Sequence, residues 1–148
     1  MDKPKVRDFY FVFMDTQTSS GAPAWHRVFT ADKWRHCLVL MDFGGDTISF
    51  DPQHYGVEVE SYYNRLRDGM SVPADMVAGS YADVGHTVVH WRNNDFGGHC
   101  VYNTGTLVPT CVSMCKMFAG IRNYSFTPRQ LYKWLIKNGG EDIDGRST

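Results

Sequence analysis

Two patterns of apolar residues run along the chain. Over roughly the first hundred positions they come in short β-branched and aromatic runs. "DFYFVFMD" (8–15) is such a run, bounded by acids, and reads as a strand. "WRHCLVLMDFGGDTISFDP" (34–52) reads as a β-hairpin with Gly44-Gly45 as its turn. With a two-residue loop there, 43 pairs with 46, 38 with 51 and 36 with 53. "YGVEVESY" (55–62) alternates and suggests a further strand with one wet face. "HTVVHWR" (86–92) is strand-like, and "NNDFGG" (93–98) is a turn leading into "HCVYN". Between these lie a flexible loop, "TQTSSGAPA" (16–24), a short helix over 61–69, and an irregular connection over 70–85.

The last third switches period. "TCVSMCKMFAGI" carries apolar residues at 111, 114, 115 and 118, which is helical spacing, with Thr110 as N-cap and Gly120 as stop. "TPRQLYKWLIKNGG" (127–140) opens with the favoured Thr-Pro cap and first-turn pair. Its stripe of Leu131, Trp134 and Leu135 ends at Gly139-Gly140. The polar tail 141–148 reads as frayed. The layout is α+β: a mainly antiparallel sheet followed by two C-terminal helices, all in one domain spanning 1–148.

Composition narrows the function classes. Of 148 residues, 43% are hydrophobic and 14% aromatic, enough for a packed core. The net charge of −1 gives no global field to recruit nucleic acid. No apolar run approaches a membrane span, and "MDKPKVRDF" is charged with no apolar signal core after it. The expected location is therefore cytoplasmic, and the four cysteines are expected to be thiols.

The sharpest chemistry is Cys111 at a helix start. Unpaired N–H groups there carry partial positive charge, which favours a thiolate and can hold the oxyanion formed when it attacks a carbonyl. The bland alternative is a small buried residue. Cys115, one turn on beside Met114 and Phe118, reads as core. On these grounds Cys111 is expected to have the lowest thiol pKa.

Of the six histidines, His36 stands out, because both faces of its strand are apolar and a histidine there needs a partner. The hairpin register places Asp51 on its face at the diagonal position, able to orient the ring, with Gln53 directly opposite as the substitute. A core histidine satisfied by a carbonyl is the alternative. His86 and His90 share a strand face but stand too far apart for one metal ion. His26, His54 and His99 lie in or beside loops, and His99-Cys100 point oppositely in a strand. No metal quartet, glycine-rich phosphate loop or other cofactor motif is present.

"WRHCLVL…GDTISFDP", followed by "VPTCVSMCKMFAGI…FTPRQLYKWL", resembles the papain-like cysteine enzymes in their circularly permuted form. There the histidine strand precedes the nucleophile helix, as in the lecithin–retinol acyltransferase group. The chain is similar more narrowly to small phage-encoded proteins with a Trp-x-His strand, an acidic-Pro pair, a Cys-Val helix and Thr-Pro-x-x-Leu-Tyr. The resemblance covers roughly 25–60 and 105–136. It implies Cys111 as nucleophile, His36 as base, and Asp51 or Gln53 as orienter. The expected function is a thiol hydrolase or acyltransferase acting on a peptide, peptidoglycan or acyl substrate without cofactor or metal. The competing expectation is a non-catalytic virion component or host-factor binder on the same scaffold.

Overall fold

A computed structural model describes residues 7–15, 34–43, 46–53, 56–62, 72–96 and 110–143. Six strands form one antiparallel sheet: β1 (Arg7–Met14), β2 (His36–Phe43), β3 (Asp46–Gln53), β4 (Gly56–Ser61), β5 (Thr87–Asn93) and β6 (Glu141–Ile143). Their spatial order is β4-β3-β2-β1-β5-β6, so β1 and β2 are central. Among the described residues, three helices pack on this sheet: α1 (Ala74–Asp83), α2 (Cys111–Ala119) and α3 (Pro128–Lys137). The class is α+β.

The central strands are apolar on both sides because helices cover both faces of the sheet. Phe9, Phe11, Phe13, Cys37, Val39, Met41, Val89 and Trp91 build one face and pack with Val112, Cys115 and Ala119 of α2 and Leu131 and Leu135 of α3. The opposite residues Val12, Met14, Leu38, Leu40 and Val88 pack with Val77, Ala78 and Ala82 of α1. Fully burying each Phe, Leu or Val stabilises the fold by about 1.5–3 kcal/mol.

The β2–β3 pairing runs from Phe43↔Asp46 to Val39↔Phe50, the register expected for a two-residue loop. Residues 44–45 themselves lie outside the described residues, as do the loop 16–24, most of the helix expected over 61–69, and 97–109.

Three expectations are corrected. The connection 70–85 is not irregular, since it contains α1. Its small buried residues Ala74, Ala78 and Ala82 recur at helical spacing, but Pro73 gives no side-chain cap and Gly79 interrupts the pattern, so the signal is weak. Residues 141–143 are not frayed; they add β6 to the edge beside β5, where Tyr132 Oη donates to Asp142 Oδ2 at 2.7 Å. Strand β4 is an edge strand whose expected packed face is mostly open: Val57 packs on the core, but Val59 on the same face is 64% exposed.

Candidate active site

Helix α2 is held at both ends and along its buried side. Thr110 Oγ1 accepts from Ser113 N–H at 3.1 Å and Ser113 Oγ accepts from Thr110 N–H at 2.8 Å, a reciprocal capping box. Gly120 closes the helix in the left-handed region at φ 72°, where a side chain would be strained. Beside it, Asn93 of β5 donates to Ala119 O at 3.0 Å. Lys116 is fully buried and donates to Asn123 O and Ser125 O at 2.8 and 2.9 Å, fixing the connection to α3. Cys115 seats the helix on the sheet, with Sγ 3.5 Å from Cys37 O.

This packing places Cys111, the first residue of α2 and partly exposed, at one end of the sheet. The cap consumes Ser113 N–H, and Met114 N–H bonds to Thr110 O. Among the described residues, the N–H groups of Cys111 and Val112 are those left for an incoming acceptor.

His36 opens β2. Its Nε2 lies 2.6 Å from Asp51 Oδ1, and the second Asp51 oxygen accepts from Gln53 Nε2 at 2.8 Å. The His36 and Asp51 side chains are only 12% and 17% exposed, so the pair is shielded from solvent screening. Alternation along β2 turns Cys37 under α2 and His36 the other way. Because His36 is the first strand residue, its ring lies at the sheet's end and interacts there with Cys111. Gln53, weighed as a substitute for Asp51, instead braces it.

The electrostatics follow from these neighbours. Burial disfavours a charged His36, but the bonds to Asp51 and Cys111 outweigh it, and the pKa is raised to about 9. The Cys111 thiol is pulled both ways: its neighbour Cys37 and burial push it well up, while His36 pulls it down, and the net direction is upward. Cys37 is drawn down by Cys111 but pushed further up by Cys115 and burial. Cys115 is raised by burial. The Cys111 pKa is therefore raised, where the helix terminus and a nearby imidazolium lead one to expect it lowered. The sequence offers the helix terminus and the imidazole but does not show that Cys37 sits beside Cys111. Cys111 and His36 interact directly and titrate as a coupled pair.

The remaining histidines divide simply. His90 stacks on Tyr10 at 4.8 Å and its Nε2 lies 2.8 Å from Asp8 Oδ1, which also accepts from Arg92 Nε at 3.0 Å. His86 follows α1 beside Tyr81. His26, His54, His99 and Cys100 lie outside the described residues. Among the described residues, no group of three or more His, Cys, Asp or Glu side chains is arranged to hold a metal ion. Cys37, Cys111 and Cys115 are all free thiols.

No family model, curated protein or solved structure matches this chain. The site therefore rests on its own geometry: a partly exposed thiol at a capped helix start, an imidazole, a carboxylate bonded to the imidazole, and a carboxamide behind the carboxylate. Among the described residues, no helix is long and apolar enough to cross a membrane.

Proposed function

We propose that this chain is a thiol hydrolase or acyltransferase of the circularly permuted papain-like type. The observation that carries the reading is the 2.6 Å bond between His36 Nε2 and Asp51 Oδ1, made by the same ring that meets Cys111 at the start of α2. With His36 neutral, transfer of the Cys111 proton to its ring gives a thiolate beside an imidazolium held by Asp51. The thiolate attacks an amide or ester carbonyl, and the Cys111 and Val112 N–H groups donate to the developing oxyanion. The imidazolium then protonates the leaving amine or alkoxide. Neutral His36 next takes a proton from water or an amine, which resolves the thioester. Suitable substrates are peptides, peptidoglycan stem peptides and acyl esters, and no step calls for a cofactor.

The test is a panel of activated esters, thioesters and peptidoglycan fragments, with intact-mass detection of an acyl group on Cys111. An adduct in the parent chain that is lost in Cys111→Ser and His36→Ala supports the reading. Acylation undiminished in either variant, or none across the panel, overturns it.

A second reading, a non-catalytic virion component or host-factor binder, draws on the connection between α2 and α3. There Tyr124 and Phe126 are 83% and 55% exposed on a backbone held by Lys116 and Gln130. Full biological function in a folded Cys111→Ser variant would select it.

A further inference from the structure

The acyl-transfer reading uses one sulfur, yet three meet beneath the first turns of α2. Cys37 Sγ lies 3.9 Å from Cys115 Sγ, and both residues are fully buried. Cys111 sits one helical turn before Cys115, a rise of about 6 Å, and packs into the same core cluster. Cys37 interacts with Cys111 as well as with Cys115. Only Cys111 is partly exposed, so an oxidant arriving from solvent meets that sulfur first.

We propose that Cys111 and Cys37 form a reversible oxidation site, in which a hydroperoxide oxidises Cys111 and Cys37 captures the product as an intramolecular disulfide. In the first step the Cys111 thiolate attacks one peroxide oxygen and the O–O bond breaks. The sulfur loses two electrons and becomes a sulfenic acid, while the departing hydroxide or alkoxide takes a proton and leaves as water or alcohol. In the second step the Cys37 sulfur attacks the sulfenic sulfur. The S–O bond breaks, the S–S bond forms, and the Cys37 proton leaves with the hydroxyl as water. Cys111 packs against the core cluster that holds Cys37, and the two side chains interact directly. Cys115, touching Cys37, can exchange into the bond and return Cys111 to the thiol state, so every captured disulfide contains Cys37. The site shares its exposed sulfur with the proposed nucleophile but not its acyl chemistry, and either assignment can fail without the other.

The test treats the full chain with about two to three equivalents of hydrogen peroxide, enough to carry a thiol to sulfinic acid, blocks remaining thiols with N-ethylmaleimide, and maps the peptides by mass. Loss of two hydrogens in a disulfide containing Cys37, reversed by dithiothreitol, is the expected product. Formation should be at least about tenfold slower in Cys111→Ser, where the exposed sulfur is gone. In Cys37→Ala, Cys111 should instead gain two oxygens irreversibly. Should that variant not fold, the parent mapping and the Cys111→Ser rate decide the matter. Sulfinic acid on Cys111 of the parent chain with Cys37 still alkylatable overturns the proposal. A disulfide to Cys100, or an undiminished rate in Cys111→Ser, does the same.

Discussion

Replacing Asp51 by asparagine separates orientation from charge at the site. The carboxamide keeps an oxygen where Oδ1 now meets His36 Nε2 at 2.6 Å, so a neutral ring stays positioned. The exchange removes the negative charge that, with Cys111, overcomes burial and raises the His36 pKa to about 9. Burial then dominates, and the pKa should fall by about 2 pH units or more, to about 6.5 or lower. The stability consequence has a definite sign. In the parent chain the folded-state pKa lies above the unfolded value, so the contribution is fully present below 6.5 and is lost as pH rises through about 9. The displacement from 6.5 to about 9 is worth about 3 kcal/mol, and the low exposure of the ring leaves little reason to discount it. Two measurements check this. One is an NMR titration of the His36 ring in both proteins. The other is urea unfolding at about pH 6 and about pH 9.5, where the difference between proteins cancels other titrating groups. The parent should lose about 3 kcal/mol more than Asp51→Asn across that window. Equal pH dependence, or an unchanged His36 titration, would refute the argument.

Other substitutions probe the support of the site. Cys111→Ser should cost no more than about 1–2 kcal/mol in a melting curve, because a hydroxyl at a helix start is tolerated, whereas acyl transfer should be abolished. Cys115→Ser places a hydroxyl at a fully buried position and should destabilise by about 1–3 kcal/mol while the folded fraction keeps its chemistry; the opposite ranking in urea unfolding counts against the two roles. Lys116→Met deletes the ammonium that serves Asn123 O and Ser125 O, leaving buried carbonyls short of a donor. A loss of about 2–4 kcal/mol in urea is expected, and a neutral result would show those bonds to be dispensable. Gly140→Ala would set a Cβ 2.8 Å from both Leu135 O and Val89 Cγ1, so a thermal melt should show about 1–3 kcal/mol of destabilisation.

Much of the scaffold is legible in the sequence because local signals agree with burial. The Thr110 and Thr127 caps, the Gly120 stop and the β2–β3 register each follow from a few adjacent residues. The meeting of His36 and Asp51 follows from that register alone. Helix α1 is hidden because its buried side is mostly alanine, whose contrast with solvent-facing positions is small. Strand β6 is hidden because three residues, two of them acidic, gain strand structure only from pairing with β5. The sulfur cluster is out of reach for another reason. Cys37 and Cys115 stand 78 positions apart, and their contact depends on how α2 crosses the sheet, which no local pattern encodes. The Cys37–Cys111 interaction, equally non-local, explains why the Cys111 pKa reasoned from the helix terminus and the imidazole comes out with the wrong sign.

The central claim is that His36 activates the Cys111 sulfur, and it can be tested without knowing the substrate. The rate of Cys111 alkylation by iodoacetamide, followed by peptide mapping against pH in the parent chain and in His36→Ala, reads that coupling directly. In the parent, Cys111 should react before Cys37 and Cys115, with a rate that climbs with pH as the coupled pair loses its first proton. At about pH 8, His36→Ala should react roughly tenfold or more slowly, because the group that draws the thiol pKa down is gone. Equal Cys111 rates in the two proteins, or earlier labelling of Cys37 or Cys115 in the parent, would contradict the account.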